Sequence, residues 1–479
     1  MSAPSRLVCQ GCGFEVPADE PYPFRCPNAD ASDDTDHLLR RVLAPAGMGL
    51  PEENRQVFLG QDPNPFIRYR PLLHSYQTAN ESGFEDAAFC VLVEELDSAI
   101  ARVDGKGFAT TPFLSADPLA EAVGLGSGTL WIKDETGNVS GSHKARHLMG
   151  LMLWLEIAGR RLDTDRGIER RLAIASCGNA ALAAAVVAKA ANRTLEVFVP
   201  PWADPAVVSR LGELDARLVS CPRKGSMPGD PCFHRFREAV QRGALPFTCQ
   251  GTENGLVIEG GKTLVWEMLS DLLTANRRLD HLFIQVGGGA LASACIQGLQ
   301  DARDLGLLER LPVIYTVQTA GASPLHRAWD SVVDRILIRH QRETNESAPH
   351  LGTDTDRALF VRDRVSPALA REELRYAARH RSEFMWPWEE EPKSIATGIL
   401  DDETYDWFVL VEGMLTTGGA PLIVADDILA EANRLAKDNT GILADPTGTS
   451  GLAGLLHLQR LEPLPTDETS AVLFTGIER

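Results

Sequence analysis

A chain of 479 residues, 44% of them apolar, is long enough for two domains and a small appendage at roughly 100–200 residues per domain. Its formal net charge of −19 repels phosphate backbones and anionic lipid, which argues against nucleic acid and membrane surfaces as partners. No apolar run approaches the ~18 residues that span a bilayer, the start MSAPSRLVCQGCG has no signal-peptide core, and nine scattered cysteines make no disulfide scaffold, so a reduced, cytoplasmic protein is expected.

Residues 1–50 stand apart, with two close cysteines, several prolines and the acidic run DASDDTD. Cys9, Cys12, Cys26 and His37 are four ligands of the types zinc prefers. The second close pair of many zinc sites is missing, and the alternative is an N-terminal arm carrying inert thiols.

From about residue 128 apolar extended runs alternate with helical patterns. TLWIK (129–133) is the first expected strand. It leads into KDETGNVSGSHKARHLMG, where Gly141 and Ser142 bend the chain and Lys144 opens a helix with apolar spacing through Leu155. A surface lysine needs no such setting, but a lysine on a pocket floor does. LAIA (172–175) is followed by the polar turn Ser176, Cys177, Gly178, Asn179 and an Ala-rich helix over Ala180–Ala191. Strands LEVFVP (195–200) and ARLVSC (216–221) come next, then a helix over Gly261–Thr274.

HLFIQV (281–286) runs directly into Gly287, Gly288 and Gly289 and a helix over Ala290–Asp301. A Gly-rich strand-to-helix turn presents backbone N–H groups that suit a phosphate, although a tight turn alone also demands glycine. PVIYTV (312–317) is another strand, and the polar stretch Arg339–Asp356 is expected as an exposed excursion. After GILA comes Asp445, Pro446, Thr447, Gly448, Thr449, Ser450 and a helix, and AVLF (471–474) closes the set of strands. Strands alternating with helices predict an α/β fold with two open parallel-sheet domains covered on both faces. Ligands of such sheets collect at the carboxyl ends of strands.

GSHKAR, SCGN, VGGGAL and DPTGTSGLAGL, in that order, resemble the tryptophan-synthase-β-like, fold type II pyridoxal-phosphate enzymes. Threonine synthases and serine/threonine dehydratases are closest in pattern. EGGKTLVWEM (259–268) and SAVLFTG match further segments of that group, and the resemblance covers roughly residues 108–476. It implies that Lys144 forms the Schiff base with the cofactor and that Ser142 supports the substrate side. His143 departs from the phenylalanine usual in threonine synthases and dehydratases, and resembles the histidine of tryptophan synthase β that helps hold the phosphate. Asn179 matches the partner of the ring hydroxyl, and Gly287, Gly288, Gly289, Ala290 and Leu291 match the phosphate loop. The ring-nitrogen position aligns with Gly448, so Thr447 or Thr449 is expected to supply the hydroxyl.

The resemblance further implies a cofactor cleft between two domains, with 145–245 as the small domain, 51–144 and 246–479 as the large one, and 1–50 as the arm with possible zinc. A homodimer is expected on the same ground. The implied activity is elimination or replacement at Cβ or Cγ of a small amino acid, and β- and γ-chemistry stay open. Lys133, Arg146, His147 and Lys262 are candidates for the basic residues that a phosphate-bearing substrate would need, and each also reads as a surface or helix-end charge. The competing reading is a catalytically silent fold relative that binds a metabolite and regulates, against which the intact Lys144, Ser142 and Asn179 argue.

Overall fold

The computed structural model describes residues 5–30, 32–43, 51–161, 170–223, 229–345 and 351–479. Strands β1 (Ser5–Cys9) and β2 (Leu39–Leu43) pair antiparallel in the N-terminal segment. Next come β3 (Phe113–Ser115) and β4 (Leu130–Asp134). They are followed by β5 (Leu172–Ala175), β6 (Leu195–Val199), β7 (Arg217–Ser220) and β8 (Leu245–Pro246). The last are β9 (His281–Gln285), β10 (Val313–Thr319), β11 (Pro421–Val424) and β12 (Ser470–Phe474).

Two larger sheets result. One has the order β11-β10-β9-β12-β4-β3 and the other β7-β6-β5-β8. All pairings in the four-stranded sheet are parallel, and in the six-stranded sheet only β3 runs antiparallel. Every residue of β6, β9 and β12 is buried, as expected of central strands covered on both faces. The seven expected strands form within two residues of their expected ends. β3, β8 and β11 were not expected: β3 and β8 are three and two residues long, and β11, as long as β5 and β7, opens on a proline.

The expected excursion over Arg339–Asp356 is corrected in part. Arg339 lies inside the helix Pro324–Thr344, paired to Glu343, Glu372 and Glu373 at 2.8, 2.6 and 2.9 Å. Asp354 opens the next helix, which Thr353 and Asp356 close with a reciprocal capping box. Residues 346–350 lie outside the described residues. The polar side chains satisfy one another across neighbouring helices, which an apolar-periodicity argument does not see.

Helices Lys144–Arg161 and Val257–Thr274 touch through backbone. A Cβ on Gly150 would lie 2.7 Å from the Gly260 Cα, and one on Gly260 would overlap the Arg146 carbonyl oxygen. Glycine at both positions lets the helices close and thereby locks the helix that begins with Lys144. Among the described residues no helix is long and apolar enough to cross a membrane.

Candidate functional site

β9 and β12 are neighbours, yet the chain leaves β9 for β10 on the far side, so a crevice opens beyond their carboxyl ends. Gln285 ties its floor together. Its Nε2 donates to the Gly448 and Leu473 carbonyls at 3.0 and 3.1 Å and to Thr475 Oγ1 at 2.6 Å. The Lys144 loop is stitched to the same place: Ser142 bridges to Gly476, the His143 N–H donates to the Thr475 carbonyl at 3.3 Å, and the Ile477 N–H donates to the Gly141 carbonyl at 3.0 Å. The turn after β5 arrives as well, since a Cβ on Gly476 would lie 2.9 Å from Asn179 Nδ2.

The bend before Lys144 falls one residue earlier than the sequence suggests. Ser140 and Gly141 have φ of +55° and +70°, while Ser142 is extended. A side chain on Gly141 would collide with Ile477, its Cβ only 2.6 Å from Cγ2. Ser142 Oγ and His143 Nε2 are buried and have no hydrogen-bond partner among the described residues. Burial, the Lys144 ammonium and His147 hold the His143 imidazole well below its ordinary pKa, so it is neutral. Lys144 is partly buried and makes no hydrogen bond or ion pair among the described residues. Burial raises the pKa values of Asp401, Asp406 and Cys249, and the Lys144 charge opposes that rise in each.

Gly287–Gly289 join β9 to the helix Ala290–Asp304, and Gly289 takes φ of +101° at the helix cap. Ala290 and Leu291 form the buried first turn. Added Cβ atoms would overlap Asp401 Oδ2 from Gly287, and would meet the Tyr405 ring at 2.8 Å from Gly288 and Thr404 and Asp406 at 3.1 Å from Gly289. The segment Ile399–Asp406, which sequence reasoning passed over, is therefore the wall facing the glycine turn. Nothing local marks it, because the contact joins segments far apart in the chain.

The two threonines differ. Thr449 is fully buried, and its hydroxyl donates to the Asp445 carbonyl at 3.3 Å and accepts from Asn433 Nδ2 at 3.1 Å. Thr447 is half-buried, and its oxygen accepts the Gly398 N–H at 3.0 Å. Asn179 opens the helix Asn179–Ala190. Its Oδ1 accepts from the Arg479 guanidinium, which also donates to the Ser140 carbonyl at 2.7 Å.

Of the four groups expected near a phosphate-bearing substrate, the two lysines and the arginine are spent in ion pairs, while His147, which burial holds neutral, has its ring 5.8 Å from that of His143 and its Nε2 without a partner among the described residues. Lys133 Nζ donates to Glu267 Oε2 at 2.6 Å and to the Thr111 carbonyl at 2.7 Å. Arg146 spans Glu135 and Glu267, at 2.8 and 2.7 Å, and all four side chains are fully buried. Lys262 pairs with Asp301 at 3.1 Å, and His147 Nδ1 meets the Val257 carbonyl at 2.9 Å. These groups hold helices together.

At the N-terminal segment Cys9, Cys12, Cys26 and His37 place their ligand atoms within 4.8 Å of one another. Cys9 Sγ lies 3.4 Å from His37 Nδ1 and Cys12 Sγ 3.7 Å from Cys26 Sγ. His37 Nε2 is held by Asp33 at 2.7 Å. Burial pushes the Cys9 thiol up to about 12. For Cys12 the Phe14 N–H, Asn28 and the neighbouring thiols outweigh burial and bring it down to about 7.

The crevice has the donor set that a pyridoxal phosphate needs. Its features are a glycine cradle that no Cβ could enter, a helix N-terminus behind it, an unpaired lysine and orphaned Ser142 and His143 atoms. A model of pyridoxal-phosphate dependent enzymes matches residues 106–364, and the chain belongs to that family. Threonine synthase of Methanosarcina acetivorans is 24% identical over 375 residues, 76% of this chain and 74% of the relative. L-serine dehydratase of Saccharomyces cerevisiae is 26% identical over 207 residues, 41% of this chain and 58% of the relative. The solved T.th. threonine deaminase shares the fold, with TM-score 0.54 and 20% identity over 81% of this chain and 98% of that one. Escherichia coli diaminopropionate ammonia lyase does too, with TM-score 0.54 and 15% identity over 88% and 92%.

Proposed function

We propose that this chain is a pyridoxal-phosphate-dependent lyase or synthase that eliminates or replaces a group at Cβ or Cγ of a small amino acid. The observation that carries it is Lys144: it stands unpaired where the turns after β5, β9 and β12 converge, while Lys133, Arg146 and Lys262 are all spent in buried ion pairs. When bound, the cofactor supplies the electron sink for charge at Cα. Lys144 would hold the cofactor covalently and, once displaced, move the Cα proton through Nζ. Gly287, Gly288, Gly289, Ala290 and Leu291 would take the phosphate, with the neutral His143 beside it. Asn179 Nδ2 would donate to the ring oxygen, the unpartnered Ser142 Oγ would serve the substrate side, and Thr447 suits the ring nitrogen better than Thr449, whose hydroxyl is engaged elsewhere.

The cleft lies, in this reading, between a small domain of residues 145–245 and the rest, and the enzyme works as a cytoplasmic homodimer. Closure of the small domain would exclude water. The test is a titration of the purified protein with pyridoxal phosphate, followed by absorbance, with a screen of amino acids for released ammonia, keto acid or phosphate. Bound colour with turnover is expected; a colourless protein would overturn the reading.

We also propose that Cys9, Cys12, Cys26 and His37 hold one structural zinc, with Asp33 orienting the imidazole as an outer carboxylate. Protein prepared without chelators should carry about one zinc per chain, lost in Cys12→Ser with the cofactor colour intact. Metal analysis that finds none would overturn this.

A further inference from the structure

A cavity of about 280 Å³ lies apart from the crevice, and neither Lys144 nor the glycine turn lines it. One side is formed by the helices Asn179–Ala190 and Pro205–Glu213, which follow β5 and β6. The other is formed by segments attached to the six-stranded sheet, including the bend at Ser140 and the stretch after β12. The charged residues lining it are three cations, Lys106, Arg210 and Arg479, and one carboxylate, Asp104, in a chain of formal net charge −19. Lys106 makes no hydrogen bond or ion pair among the described residues. Arg210 has Glu213, three residues on, at 3.0 Å, and both side chains are exposed, so that pair is worth little. Arg479 donates to two neutral oxygens, Asn179 Oδ1 and the Ser140 carbonyl, the latter at 2.7 Å, and makes no salt bridge among the described residues. Asp104 is partly spent, since its Oδ2 accepts the Ser140 N–H at 2.8 Å. The local field is therefore positive within a negative molecule. Beside these charges the buried Leu182, Val186 and Leu214 make an apolar wall.

We propose that this cavity is an effector site for a small aliphatic carboxylate, whose head takes Arg479 from Asn179. A guanidinium donates to a carboxylate through two parallel charged hydrogen bonds, which outweigh its bonds to two neutral oxygens. Lys106 and Arg210 draw the same head, and the apolar wall takes the body. A volume just below the roughly 300 Å³ at which ordinary ligand pockets begin limits that body to a few carbons. Phosphate would satisfy the cations but leave the wall uncovered. Without the ligand, Arg479 on Oδ1 fixes the Asn179 amide with Nδ2 as its donor. The effect on the cofactor rests on the contact of Asn179 with the ring oxygen proposed above. A carboxylate that removes Arg479 loosens that amide, so carboxylate and cofactor oppose each other, each weakening the other by the same factor.

The test is a calorimetric titration of the full chain with 4-methylpentanoate, its neutral amide and inorganic phosphate, each with and without pyridoxal phosphate. Wild type should bind 4-methylpentanoate saturably. Affinity should fall about tenfold or more for the amide, and by as much for the carboxylate on the double variant Lys106→Gln/Arg210→Gln. Neither substituted side chain lines the Lys144 crevice, so the double variant should bind pyridoxal phosphate as wild type does. On wild type, pyridoxal phosphate should weaken carboxylate binding about threefold or more. Equal binding of the amide, tighter binding of phosphate, an unchanged double variant, or carboxylate affinity indifferent to pyridoxal phosphate would each overturn the proposal. A wild type that takes up no pyridoxal phosphate overturns the parent function instead, and the amide and double-variant titrations still decide this site.

Discussion

Lys133 lies within β4 and Lys144 opens the next helix, yet their surroundings are opposite. Lys133 is fully buried and saturated, by Glu267 at 2.6 Å and the Thr111 carbonyl at 2.7 Å. Lys144 is partly buried beside open turns with no partner among the described residues. The difference teaches how to tell a structural cation from a functional one. A buried charge is tolerated when its partners come from the fold, and such a charge has nothing left to offer a ligand. A charge left without partners in a crevice has its binding capacity intact.

The comparison breaks most visibly at Lys144 itself. Lys144→Ala should cut turnover by more than about a thousandfold and remove the bound-cofactor absorbance, because no neighbour replaces the amine. Its urea unfolding should stay within about 0.5 kcal/mol of wild type, since no contact of the fold is lost. Near-normal turnover would end the assignment.

The opposite pattern is expected at the saturated centre. Arg146→Met leaves Glu135 and Glu267 buried without their main partner and should cost about 3–5 kcal/mol of stability. Urea denaturation checks this, and a loss below about 1 kcal/mol would show that the network is not what holds these helices. Cofactor affinity at a concentration where the variant stays folded should be little changed.

Asp406 lies between these extremes, as a fully buried carboxyl against the glycine turn without a hydrogen bond of good geometry. Burial, with Asp36 adding to it against the pull of Ser293, Lys144 and Gly251, raises it to about 7 from an ordinary 3.8. Below about pH 4 both folded and unfolded chains carry this proton. Between about 4 and 7 the unfolded chain has released it and the folded chain has not, so stability falls across that window and levels off above it. Asp406→Asn should therefore gain on wild type as pH rises, by on the order of a few kcal/mol near pH 8. Thermal melts of both proteins across this range decide it, and a constant difference would contradict the buried, protonated carboxyl.

The smallest effect sharpens the pair of threonines. Thr449→Val should lose about 1 kcal/mol of stability, because Asn433 and the Asp445 carbonyl lose their partner, with cofactor affinity unchanged. Thr447→Val should instead weaken or spectrally shift the bound cofactor with little change in stability. Absorbance titrations of the two variants separate them, and a cofactor effect confined to Thr449 would reverse the assignment.

What the sequence by itself determined was everything carried by local order. The strands of β4 to β7, β9, β10 and β12 were legible because each is a short apolar run bounded by turn residues. The placement of Lys144, Asn179 and Gly287–Gly289 at the ends of elements was legible because each follows or opens an element in a fixed local pattern. The three- and two-residue strands β3 and β8 are too short to show such a run, and β11 opens on a proline. Tertiary structure alone decided which charges are spent and which are free. On paper Lys133 was also a candidate cation, and only the approach of Glu267 from a distant helix shows that its charge is spent. The same holds for Gly150 and Gly260, where two helices must touch, and for Asp401, which reaches the glycine turn from far along the chain. Charge pairing and close approach are properties of segments brought together by burying a common core, and no window of sequence contains both partners.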